Sequence, residues 1–159
     1  KERLCRQERL IPFLLEPRSY PHRPAGVRMV QTHASLVFIA PPYVYKLKKA
    51  VDFGFLDFST LEKRRHFCER EVELNRRLSS GVYLGVESIH ESEAGFEFGG
   101  DGRVVEYVVR MRKLTDRNFL DRRLARGEVG PAELDRIVAA LKEFYLSQEP
   151  TDQIEQKGR

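Results

Sequence analysis

Cysteine is scarce in this chain: Cys5 and Cys68 stand far apart and no CxxC pair exists. Two thiols so placed do not make a disulfide framework; they read as reduced, structural cysteines of a cytoplasmic protein. The four histidines, His22, His33, His66 and His90, show no HxxxH spacing, which argues against a metal cage built from this chain's side chains alone. No apolar run approaches the roughly 18 to 20 residues that a membrane-spanning helix needs. The stretch Leu10-Ile11-Pro12-Phe13-Leu14-Leu15 is too short, carries a proline and is followed by no small-residue cleavage site, so no signal peptide is expected. Internal repeats, low-complexity tracts and helix-turn-helix, RNP or zinc patterns are also missing.

What is present is an ordinary globular composition, 41% apolar and 33% charged over 159 residues. That length buries one core, so the chain reads as one domain or one lobe of a larger protein. The net charge of +4 is uneven. Residues 1–80 hold 16 Lys and Arg against 9 Asp and Glu, a balance of +7, and the remainder holds 12 against 15, a balance of −3. A basic first half suits a polyanion, either nucleotide phosphates or nucleic acid.

Residues 1–26 read as a short amphipathic helix carrying Leu4, Leu10, Ile11 and Leu14, then an irregular lead where Pro17, Pro21 and Pro24 forbid regular helix. From Val27 the pattern becomes β. Val27–Gln31, Leu36–Ile39 and Tyr43–Leu47 form three strands with short connections, hence an antiparallel meander. Ser59-Thr60-Leu61-Glu62 fits a capping box with Ser59 as N-cap, opening a helix to about Leu78. Its inward stripe reads Leu61, Phe67/Cys68, Glu71, Leu74, Leu78. Val82–Ile89, Gly95–Phe98 and Arg103–Met111 read as further strands. Thr115-Asp116 caps a short helix through Ala125, and Gly130-Pro131 opens a last one with Leu134, Ile137, Val138, Leu141 and Phe144 on one face.

Two features carry chemistry. Val44-Tyr45-Lys46-Leu47-Lys48-Lys49 puts lysines inside a strand, and Glu71 puts a carboxylate into an apolar helix stripe. A carboxylate there is costly without a positive partner. A strand lysine paired with a helix glutamate is how kinase-like enzymes hold nucleotide phosphates. Lys46 and Lys48 point to the same face by strand alternation, so either is a candidate phosphate lysine. Val44, two residues before Lys46, copies the small-x-Lys spacing. Arg64 and Arg70 stand at i−7 and i−1 from Glu71, poor positions for an intrahelical pair.

These residues and their order resemble the amino-terminal lobe of the kinase-like phosphotransferases, in particular an uncharacterised bacterial branch of the aminoglycoside phosphotransferase-like family. The matching phrases are Gln31-Thr32-His33-Ala34-Ser35, Val44 to Lys49, Val51-Asp52-Phe53-Gly54-Phe55-Leu56-Asp57-Phe58-Ser59-Thr60, Glu71 with Leu74-Asn75-Arg76-Arg77-Leu78, and Tyr83-Leu84-Gly85-Val86. The resemblance runs from about residue 8 to the end. It implies an α+β fold: a kinase-like N-lobe at residues 27–114, with an about five-stranded antiparallel sheet and one long packed helix. Residues 115–159 would begin a C-lobe that is otherwise absent. The implied activity is ATP-dependent phosphoryl transfer to an unknown small-molecule acceptor.

Within the resemblance, Lys46 matches the residue that holds the α- and β-phosphates and Glu71 the residue that orients it. Thr32 to Ser35 takes the place of the phosphate-covering hairpin, and Arg112-Lys113-Leu114 that of the hinge meeting adenine. The hairpin has no G-x-G-x-x-G, so phosphate contacts would fall to backbone N–H groups and to the Thr32 and Ser35 hydroxyls. The H-G-D type catalytic loop and the aspartate that binds Mg2+ belong beyond residue 159, so no catalytic or metal-binding residue is expected here. Asp52-Phe53-Gly54 spells a kinase metal motif in the wrong place and reads as a turn. The alternative is a non-catalytic kinase-like interaction module or a nucleic-acid binder. The latter predicts a loss of affinity with salt of roughly one log unit per neutralised phosphate in a log–log plot.

Overall fold

Alternating residues at 28–31 and 43–48 and a continuous apolar run at 36–40 produce the first three strands. The computed structural model describes residues 7–79 and 81–148, so the expectations placed on Leu4, Cys5 and the chain after Pro150 lie outside the described residues. The strands are β1 (Arg28–Gln31), β2 (Ser35–Ala40) and β3 (Tyr43–Lys48). They pair as an antiparallel meander with Val30 opposite Val37 and Val37 opposite Lys46. Three more strands follow, β4 (Tyr83–Ser92), β5 (Gly95–Phe98) and β6 (Arg103–Arg112). The sheet order is β1-β2-β3-β6-β4-β5. The count of about five is therefore corrected to six. Ten-residue β4 folds back at Glu93-Ala94 into the separate hairpin strand β5 before β6 crosses to β3.

The described residues fall into two compact units, one ending at Lys113 and the other beginning at Leu114. In the first unit the sheet has two differently covered faces. Helix α1 (Leu10–Leu15) and the segment after it cover one face, where Leu10, Leu14, Tyr20, Phe38, Tyr45, Leu47, Ile89 and Val108 form the main core. The Tyr20 hydroxyl donates to the Leu14 carbonyl at 2.5 Å, so the buried ring brings its polar end already satisfied.

Helix α2 (Leu61–Ser79) lies on the other face, over β4 and β6, through Cys68, Val72 and Val109. Its cap differs from the expected one. Asp57 takes the Ser59 N–H at 2.9 Å, which leaves Thr60 as the cap; its hydroxyl accepts the Lys63 N–H at 3.2 Å. Thr60→Ala is expected to cost about 1 kcal/mol in a urea melt.

The buried stripe also differs: it runs Arg64, Cys68, Val72, with Glu71 beside it, while Leu74 and Leu78 are exposed. Arg64 is inward because it meets a buried carboxylate. Its Nε donates to both oxygens of Glu106 at 2.8 and 3.0 Å, and its Nη1 to the Phe58 carbonyl at 3.0 Å. Beyond the Leu47–Val108 pair, β3 and β6 part, and Gln7 fills the fork. Its amide donates to the Lys48 carbonyl (2.9 Å) and Glu106 (2.7 Å) and accepts from the Ala50 N–H (2.8 Å).

The Asp52-Phe53-Gly54 segment is a turn. Asp52 accepts the Gly54 N–H at 2.8 Å, and Gly54 sits at φ +80°, a conformation that disfavours any side chain. In the second unit, a 3-10 turn (Asp116–Asn118) precedes helices α3 (Leu120–Ala125) and α4 (Pro131–Leu146). Thr115 makes no side-chain cap there. The α4 face carrying Leu134, Ile137, Val138 and Leu141 is exposed rather than packed.

Candidate functional site

Strand register places Lys46 and Lys48 on the α2 face of the sheet, and the third turn of α2 brings Glu71 between them. Lys46 Nζ donates to Glu71 Oε1 at 2.9 Å and Lys48 Nζ to Oε2 at 2.6 Å. The two lysines are not equivalent. The Lys46 side chain is 30% exposed and that of Lys48 only 6%, with its ammonium over the Phe58 ring at 4.9 Å. Lys46 is therefore the lysine a ligand can reach.

Burial raises the Glu71 carboxyl, but the hydrogen bonds and charges of Lys48 and Lys46 together outweigh it and hold the group below the ordinary glutamate range. Its stabilising contribution is thus complete above that range and is lost as the pH falls through the folded value. Arg64 and Arg70 make other bonds, to Glu106 and Glu73. Counting the neighbouring Arg64–Glu106 pair, Lys46, Lys48 and Arg64 present three positive charges to two carboxylates. The group thus carries a net charge of +1, and Lys46 is its most exposed cation.

Beside Lys46 lies an apolar shelf. Cross-strand neighbours share a face, so one row runs Val30, Val37, Lys46, Val109, Val86 and the next runs Arg28, Ile39, Val44, Met111, Tyr83. Helix α2 covers the β4 and β6 ends of these rows. Val37, Ile39 and Val44 are half-buried and belong to neither core cluster, and Val30 is exposed. Sequence reasoning missed this shelf. Its signal was the apolar residue two before Lys46 and the matching alternation on β2.

The other expected site residues are placed differently. Ser35 is opposite Lys48 and buried. The Thr32 hydroxyl is used within its own turn, accepting the Ser35 N–H at 3.0 Å and donating to the Ser35 carbonyl at 3.1 Å. Lys49 Nζ draws in the Thr32 carbonyl at 2.6 Å, so that turn presents carbonyls to a cation. Arg112 stands opposite Tyr43, which puts its side chain on the sheet face away from Lys46. Its N–H donates to the Val82 carbonyl and that of Lys113 to Pro42, both at 2.8 Å. The structure thus brings Lys46, Glu71 and Lys48 together and leaves Thr32 and Arg112 apart from them.

A cavity of about 300 Å³ lies elsewhere, lined by Arg9, Arg64, Glu91, Arg103 and Glu106 among others; neither Lys46 nor Glu71 borders it. Its ion pairs are Arg9 and Arg103 to Glu91 at 2.8 Å each and Arg64 to Glu106, so it carries the same excess of one positive charge, held by two largely solvated arginines. The Lys46 cluster is the better candidate for a site, because its accessible lysine is held by a mostly buried carboxylate and stands beside an apolar shelf, whereas Arg9 and Arg103 are surface side chains.

Among the described residues no group of three or more His, Cys, Asp or Glu side chains is placed to hold a metal ion, and no helix is long and apolar enough to cross a membrane. No family model and no solved structure matches the chain. Uncharacterised proteins of Mycobacterium tuberculosis and Mycobacterium bovis are each 34% identical to it over 115 residues, which is 72% of this chain and 22% of either protein. The chain thus spans about a fifth of the length of the curated relatives it matches.

Proposed function

We propose that this chain is the nucleotide-binding lobe of a kinase-like, ATP-dependent small-molecule phosphotransferase. One observation carries the reading: Lys46, partly exposed, is held by a helix carboxylate that a second, buried lysine also neutralises. The shelf of Val37, Ile39 and Val44 next to it suits a planar base, and the ammonium suits the phosphates of the same ligand. In this reading Lys46 takes the α- and β-phosphates, and Glu71 sets the reach and direction of its side chain. The sheet order, with the lysine strand β3 beside β6, fits a kinase-like N-lobe. Magnesium enters only as the nucleotide's own counter-ion. The acceptor, the catalytic loop and the C-terminal lobe would be supplied by further polypeptide.

Calorimetric titration with ATP, ADP, AMP and adenosine tests the reading. ATP and ADP are expected to bind within about tenfold of each other and AMP at least about tenfold more weakly, because AMP lacks the second phosphate. Equal affinity for ATP and adenosine would refute a lysine-held phosphate. Affinity for long single strands that exceeds that for ATP and falls steeply with salt would favour the nucleic-acid alternative.

A further inference from the structure

The cluster holds two lysines where phosphate binding needs one. A single lysine shared between Glu71 and an anion creates a problem. Each time it turned toward the phosphate, it would leave a carboxylate unpaired on a helix stripe beside Cys68 and Val72. Here the second carboxylate oxygen already has its own donor, Lys48 at 2.6 Å. That ammonium is boxed between Glu71 and the Phe58 ring, and the backbone beneath it is held by Gln7. It has no route to a ligand on the shelf.

We infer that Lys48 is the resident counter-ion of Glu71, keeping the carboxylate charged and in place while Lys46 leaves it for a phosphate. Lys48 is thus a positioning residue and Lys46 the ligand-binding one. This division rests on the nucleotide-site reading and deepens it: the site can exchange one of its two ion pairs for a ligand without stranding a buried charge. The other groups facing Glu71 are Tyr83 from β4 and Cys68 from its own helix, both neutral at ordinary pH because burial, the largest influence on each, raises their titration.

The test needs no nucleotide. The side-chain carboxyl of Glu71 is followed by carbon-13 NMR against pH in wild-type, K46M and K48M protein. K48M is expected to titrate clearly above wild type, K46M only slightly above it, and K48R close to wild type. Equal rises in K46M and K48M, or a larger rise in K46M, overturn the inference. If K48M does not fold, acetylation of the wild-type protein, mapped by mass spectrometry with and without ATP, takes its place. Lys46 is expected to react and to be protected about tenfold at saturating ATP, with Lys48 unmodified in both. A Lys48 as reactive as exposed Lys142 overturns the inference. An unprotected Lys46 instead counts against the nucleotide reading, and the reactivity of Lys48 still decides its own role.

Discussion

Glu106→Ala is expected to destabilise the first unit by about 3 to 5 kcal/mol, a large share of the roughly 5 to 15 kcal/mol that holds a domain of this kind together. Glu106 is fully buried at the fork between β3 and β6 and accepts from Arg64, Gln7 and its neighbour's amide, Tyr107 N–H at 3.1 Å. Truncating it leaves the Arg64 guanidinium charged in an almost closed site with no carboxylate. It also frees the Gln7 amide that ties β3 to β6. Glu106→Gln keeps the shape and should cost less. Replacing both members of the pair by apolar residues should recover most of the loss, since the penalty comes from the stranded charge rather than from the missing bond. Chemical denaturation measures all three. Arg65→Ala, which breaks an exposed i,i+4 pair with Glu69 at 2.8 Å, is the control and should move the unfolding midpoint far less than Glu106→Ala. A Glu106→Ala protein within 1 kcal/mol of wild type, roughly the size of an ordinary point-mutation effect, would show that water reaches Arg64.

Lys46→Ala should have the opposite profile, a nearly unchanged melting curve and nucleotide affinity lowered on the order of 100-fold, about 2.7 kcal/mol. The fold is spared because Lys48 still neutralises Glu71 and because Lys46, at 30% exposure, is the more solvated partner. Binding suffers because the charge facing the shelf is gone while the apolar shelf remains. Calorimetry on a variant first shown to melt like wild type separates the two effects. Unchanged nucleotide affinity would remove Lys46 from the site.

The strands were legible because their signals are local. Alternation on Arg28–Gln31 and Tyr43–Lys48 and the Pro41-Pro42 break set boundaries that the structure moves by a residue or two at most. Glu71 was legible because a carboxylate in an apolar stripe requires a cation, and strand alternation already offered two. Arg64 was not legible: a helix arginine reads as solvated until its partner is known, and Glu106 is 42 residues away. Gln7 was hidden for the same reason, as its acceptor lies 99 residues on. The cap slipped by one residue because Asp57, outside the capping box, competed for the Ser59 amide. The shelf escaped notice because it exists only once β1, β2 and β3 lie side by side, each contributing one or two side chains that mean little alone.

The two-faced sheet divides labour within single strands. On β2, Leu36, Phe38 and Ala40 point into the core, while Val37 and Ile39 point to the shelf; on β3, Tyr45 and Leu47 do the first job and Val44 and Lys46 the second. Neighbouring positions in the chain therefore answer to different demands. Substitutions at every second residue of these strands would reshape the shelf while folding stays in the keeping of the residues between them, so this surface can change its side chains without the scaffold being rebuilt first.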